Sequence, residues 1–409
     1  MTQARKPQFF YGYIVVVVAF FIMTLTWGTF SVFGVFFKPL LAEFGWTRAM
    51  TSGAFSFSFI LIGLLSVVMG RLTDRFGPRI VITACGAFLG LGYLLMSQIG
   101  TIWHFYLVYG VIIGVGMSGV YIPLVSTIAR WFARRRGVMT GIALSGIGFG
   151  VLVVPLIVNW LIAAYDWRTA YAVVGIAVLI LTILAAQFLR REPSRMGQTP
   201  YGEGEVKEQG LNLEARELSL WEAMHTSQLW MLGGMFFCFS FGLYISLVHI
   251  VPHATELGIS AASAANILAT IGGVSIVGRL VMGVFADKRG NKLALIVAFA
   301  VLAIALFWLQ LASEAWMLYL FAALFGFAYG GLAPLESPLV AELFGLSSHG
   351  VILGVVGLGF MLAAVTGPVL AGGMFDVTGS YSLAFLACAI VSVIGLILAL
   401  LLKPVAKEG

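Results

Sequence analysis

The decapeptide GRLTDRFGPR at residues 70–79 returns, degenerate but in register, as GVFADKRGNK at 283–292, 213 residues later in a chain of 409. Each copy follows an apolar stretch of helical length and precedes another. A unit of about 200 residues therefore occurs twice, and a repeat of that size fixes the architecture before any residue is given a role. The most polar element of the unit reads as a short basic turn between two membrane-spanning helices. Gly77 and Gly290 supply the backbone freedom that such a turn needs.

Composition narrows the class. Hydrophobic residues make up 61% and charged residues 10%, against about 25% charged in an ordinary soluble domain. Cys85, Cys238 and Cys388 sit inside apolar runs and read as small buried hydrophobes, without metal or disulfide spacing. The opening MTQARKPQFF enters a long span with no small-residue cleavage site and reads as mature from residue 1. The net charge of +6 is scattered between the apolar runs, which argues against nucleic acid and for a lipid bilayer as partner.

Apolar runs of about 20 residues mark membrane spans. Twelve are expected, at 10–37, 49–69, 80–98, 103–129, 138–163, 168–189, 229–252, 260–285, 292–312, 315–341, 349–373 and 381–402. They predict an all-α integral membrane protein of two six-helix bundles, 1–189 and 229–409, joined by a cytoplasmic linker at 190–228. Within the linker, Ser219-Leu-Trp-Glu222 predicts a capping box that opens an amphipathic helix. With both termini inside, 19 of the 23 Lys and Arg fall on the inner face, and Lys38, Arg48 and Arg168 on the outer. That asymmetry predicts a multi-pass protein of the cell inner (plasma) membrane with cytoplasmic termini.

One cation remains, Arg279, inside ATIGGVSIVGRLVMGVF of the eighth span. A charge there costs a few kcal/mol or more and normally faces protein or a water-filled cavity. Either it pairs an acid or snorkels toward the inner face, or it anchors an anion whose carboxylate the guanidinium grips in bidentate fashion. No Asp or Glu lies elsewhere in the run 260–285 to neutralise it, which favours the second reading. Nucleotide loops, metal clusters and nucleophile–base pairs are missing from the sequence, so an enzyme is not expected, and no cofactor.

The chain as a whole resembles a transporter of the major facilitator superfamily, whose inner-loop signature G-x-x-x-D-[RK]-x-G-x-[RK] both decapeptides match. WFARRRGVMTGIALSGIGFG at 131–150 resembles the fifth-helix signature of the monocarboxylate transporter family, and Arg279 falls where that family carries its substrate arginine. Two departures stand out. Ser31 occupies the place of a first-helix lysine of the animal members, and Ser275 the place of their aspartate one turn before the arginine. The resemblance implies alternating-access transport of small monocarboxylates such as L-lactate or pyruvate in symport with a proton, by a protein functional as a monomer. The alternatives are anion exchange of the oxalate/formate type and, from another class, a carboxylate sensor.

The superfamily's cavity is lined by its first, fourth, seventh and tenth helices, which directs attention to Tyr121 beside Pro123 and Tyr329 before Pro334. A buried tyrosine hydroxyl needs a partner, and a 2-hydroxy or 2-oxo acid supplies one, as does a neighbouring carbonyl. Leu144 and Phe360 are the expected apolar wall. His249 and Glu336 are the candidates for proton coupling, Glu336 being also a possible counter-ion. Asp74, Arg75, Arg79 and Asp287 are expected to gate the inner side, the two aspartates by capping or pairing at the ends of neighbouring helices.

Overall fold

Gly77, at a φ of 86°, is the single residue between a helix that ends at Phe76 and another that starts at Pro78. Gly290, at a φ of 92°, separates Arg289 from Asn291 in the same way. Most of each decapeptide is therefore helix rather than turn, contrary to the expectation above. Nothing from Gly70 to Phe76 breaks a helix, and only the glycine accepts the reversal. Pro78, whose missing N–H costs nothing at the first helical position, then restarts the chain.

This computed structural model describes residues 10–46, 48–202 and 217–403. Arg5, Lys6, Lys207, Arg216 and Lys407 of the charge count, and most of PYGEGEVKEQG, lie outside them. Among the described residues twelve helices are long and apolar enough to cross a membrane. They are Gly12–Phe37, Gly53–Phe76, Pro78–Met96, Ile102–Trp131, Arg136–Ala164, Trp167–Ala186, Ser227–Glu256, Asn266–Arg289, Asn291–Leu311, Ala315–Phe344, His349–Phe375 and Ser382–Leu401, referred to as the first to twelfth spans. The capping box forms as expected, with Ser219 and Glu222 satisfying each other's backbone N–H groups ahead of a short helix, Leu220–Met224.

Three spans are discontinuous. The first changes direction at Val32 before the helix Phe33–Phe44. The fourth carries a π-helical stretch, Tyr106–Ile113, and breaks again at Gly119 and Val120, just before Tyr121. The tenth tightens to a 3-10 turn, Ala333–Leu335, where Pro334 has no N–H to give, just before Glu336. Helix breaks at membrane depth are tolerated where they line a cavity or are buried in protein.

Glycines on the spans let backbones touch. Gly146 and Gly150 of the fifth span lie against the carbonyls of Phe20 and Thr24 in the first. Gly326 and Gly330 of the tenth lie against those of Ile271 and Ser275 in the eighth. These pairs thus serve packing within the chain. At the end of the bundle that carries the decapeptides the two halves meet backbone to backbone. A Cβ on Gly137 would stand 2.7 Å from the carbonyl oxygen of Gly283, and one on Gly283 would stand 2.6 Å from that of Gly137. At the opposite end Arg168 and the indole of Trp167 donate to Glu43 at 2.5 and 2.6 Å, holding its carboxyl below the usual range and tying the first span's extension to the sixth.

Candidate functional site

The two remaining breaks face each other across the halves. Tyr121, at the restart of the fourth span, donates its hydroxyl to Glu336 Oε2 at 3.0 Å, at the restart of the tenth. One turn deeper Ser337 donates to the carbonyl of Val125 at 3.2 Å. Beside this bridge lies a cavity of about 180 Å³ whose wall includes Tyr121, Leu144, Arg279, Tyr329, Glu336 and Phe360. Every residue expected to touch substrate, together with one of the two proton candidates, thus borders one space between the halves. Its volume is below the roughly 300 Å³ at which sites for drug-sized ligands begin, so the space suits a solute of a few heavy atoms.

Arg279 is 1% exposed. Its Nη1 donates to Ser275 Oγ and its Nη2 to the Tyr329 hydroxyl, each at 2.9 Å, and its carbon centre lies 5.0 Å from the Tyr329 ring centroid. Its Nε has no acceptor. Both partners are neutral, and no carboxylate pairs with Arg279 among the described residues. Ser275, where a carboxylate would cancel the charge, only orients the guanidinium. The net charge therefore stays available to a ligand, and a buried cation without a counter-ion costs several kcal/mol that an anion offsets.

The rest of the wall is aromatic and aliphatic. Phe360 packs against the rings of Phe239 and Tyr244, each with a centroid separation of 5.8 Å, and Phe59 and Tyr244 meet edge-on across the halves at 6.0 Å. Leu144 is fully buried. The hydroxyls of Ser66 and Ser118 are turned back onto carbonyls of their own helices, so they add little polarity.

His249 stands apart from this wall. Its Nε2 lies 3.0 Å from the carbonyl of Pro368, an atom that can only accept, so the proton sits on Nε2 and the ring is held between the seventh and eleventh spans.

Of the four residues expected to gate, the two aspartates cap helices and the two arginines do not take part. Asp74 accepts from the backbone N–H groups of Gly350 and Val351, at 3.1 and 3.0 Å, in the first turn of the eleventh span. Asp287 accepts from those of Gly137 and Val138, at 2.8 and 3.0 Å, in the first turn of the fifth. Each aspartate thus caps a helix of the opposite half, where an anion meets both free N–H groups and the helix dipole. Arg75 and Arg79 do not join them: Arg75 lies over its own neighbour Phe76, and Arg79 donates to Gln187 within the same half. The cation that reaches Asp74 is Arg130, at 2.8 Å. It was counted only as loop charge because nothing in ARWFARRR distinguishes the inward-facing arginine. The paired helix starts had a legible signal: RGVMTG at 136–141 and HGVILG at 349–354 stand in the same 213-residue register as the decapeptides.

Comparison with known proteins gives a consistent result. A family profile described as "Major Facilitator Superfamily" matches residues 17–297 and 230–409. Monocarboxylate transporter 13 of Rattus norvegicus is 28% identical over 385 residues, covering 94% of this chain and 87% of that protein. An uncharacterized MFS-type transporter of Escherichia coli strain K12, YhjX, is 28% identical over 317 residues, covering 76% of each chain. Among solved structures, the proton:xylose symporter XylE superposes with a TM-score of 0.76 at 17% identity, covering 95% of this chain and 94% of that one, a likeness of fold.

Proposed function

The chain belongs to the Major Facilitator Superfamily, as a multi-pass membrane transporter and not an enzyme, and on that premise we propose that it carries small monocarboxylate anions such as L-lactate and pyruvate in symport with a proton. The observation that carries this reading is Arg279, a buried cation with no carboxylate partner among the described residues, on the wall of a cavity sized for a small solute. The monocarboxylate transporters among its relatives support the substrate class. On this reading the basic end faces the cytoplasm, both termini are inside, and the protein works as a monomer in the cell membrane.

Glu336 supplies the coupling. A sphere of the cavity's volume is about 7 Å across, and two anions at that separation repel by roughly 2.4 kcal/mol at an effective dielectric of 20. That is about a fiftyfold penalty on binding. A carboxylate therefore enters readily when Glu336 holds a proton, and anion and proton cross together. A dianion meets the same Glu336 with one cation to receive it, which disfavours oxalate exchange.

Accumulation of labelled lactate in proteoliposomes tests the coupling. An acid-outside gradient should drive lactate above its equilibrium distribution, and a protonophore should collapse it. Equilibration without accumulation would remove the symport step.

A further inference from the structure

Among the described residues, two buried hydrogen-bond donors on the cavity wall lack an acceptor. One is Arg279 Nε, and the other is the indole N–H of Trp27 in the first span. The indoles of Trp131, Trp167, Trp230, Trp308 and Trp316 each donate to an oxygen at 2.6–3.0 Å, and those of Trp103, Trp160 and Trp221 lie on exposed side chains, whereas the Trp27 nitrogen is buried and idle. An unsatisfied buried donor carries a desolvation cost that persists unless a ligand meets it. Trp27 and Arg279 stand on opposite halves and line the same cavity, and between them they hold two idle buried donors and one positive charge.

We propose that Trp27 is a second anchor for the substrate carboxylate, its indole N–H donating from the first span while Arg279 donates from the eighth. This rests on the monocarboxylate reading above and deepens it. A carboxylate has two oxygens and no proton to give at neutral pH, which matches two donors and no acceptor. A ligand held this way ties the halves together, so binding favours the conformation in which both walls close on it. The anchor reads an anionic acceptor, and esters and amides of the same acids lose the charge that Arg279 requires.

The test removes the N–H while keeping the ring. Trp27→Phe, and replacement of Trp27 by benzothienylalanine, in which sulfur takes the place of the N–H at nearly constant shape, are made in the full-length protein. Binding of lactate, pyruvate and the methyl ester of lactate is then measured beside wild type. Both variants should bind lactate and pyruvate about tenfold or more weakly, the size of one lost hydrogen bond to a charged group. The ester should bind none of the three proteins appreciably. Thermal stability without ligand should be unchanged in the benzothienyl form, since an idle donor is what was removed. If that form binds lactate within twofold of wild type, the anchor is refuted while the monocarboxylate reading stands, and a loss confined to Trp27→Phe would assign Trp27 to packing alone. If wild type itself binds no monocarboxylate, both fall.

Discussion

Replacing either capping aspartate by asparagine should unlatch the basic end, and by an amount the geometry sets. Asp287 holds two backbone N–H groups of the opposite half, at 2.8 and 3.0 Å. Asn keeps one acceptor oxygen and turns an NH2 group toward the second N–H, so one charge-assisted bond is lost, worth about 1.5–3 kcal/mol. Loss of the anion from the helix N-terminus adds about 0.3–1 kcal/mol. Asp287→Asn should therefore shift the closed-to-open equilibrium at this end by about 20- to 800-fold. Asp74→Asn should shift it by a similar factor, since Asp74 likewise holds two backbone N–H groups of the opposite half and its bond to Arg130 lies within its own half. The two sites engage different helices, so the double variant should come close to the sum. Spin labels on cysteines introduced at Ile80 and Lys288, one on each half and both exposed, report the separation by pulsed resonance. The native cysteines are buried and should stay silent. A longer distance population should appear in each single variant and dominate in the double. Identical distributions in wild type and all three variants would refute the latch.

Gly137→Ala places a methyl carbon 2.7 Å from the Gly283 carbonyl oxygen, so the same labels should report separation in a protein that inserts normally and transports poorly. Glu336→Gln should leave lactate counterflow in place while abolishing accumulation driven by an acid-outside gradient, and His249→Ala should leave both intact. The reverse pattern would move coupling to the seventh span. In competition against labelled lactate at neutral pH, oxalate should be at least about tenfold weaker than pyruvate, because its second carboxylate finds no cation and meets Glu336. Equal competition would favour the exchanger.

Much of the architecture was legible because polarity is scarce in this chain. The decapeptides announced the repeat, and Arg279 drew attention to the candidate site, since a lone charge in an apolar helix has few bland explanations. The partners of those residues were harder to read. Asp74 and Asp287 bind backbone N–H groups, which no side chain advertises, and only the recurrence of Gly-Val in register at 137 and 350 hinted at them. The bond between Tyr121 and Glu336 depends on two helix breaks meeting across the halves, and neither YIP nor APLES specifies a partner. The π-helical stretch in YLVYGVII leaves no mark, because its residues suit an α-helix equally well. Trp27 was passed over because one of ten tryptophans in a membrane protein resembles an interfacial anchor until its idle N–H is seen beside Arg279.

The central claim is that Arg279 receives a monocarboxylate, and counterflow in proteoliposomes tests it most directly. Vesicles loaded with unlabelled lactate and diluted into labelled lactate report binding and conformational exchange without a proton gradient. Wild type should show a transient overshoot. Arg279→Lys keeps the charge but loses the planar fork and its ties to Ser275 and Tyr329, and Arg279→Ala removes both charge and fork. Truncating one side of a buried charge pair costs about 2–5 kcal/mol, or roughly 30-fold or more in affinity. The overshoot should thus vanish in Arg279→Ala and be severely reduced in Arg279→Lys, with both proteins inserted and folded. Counterflow by Arg279→Ala within twofold of wild type would contradict the account.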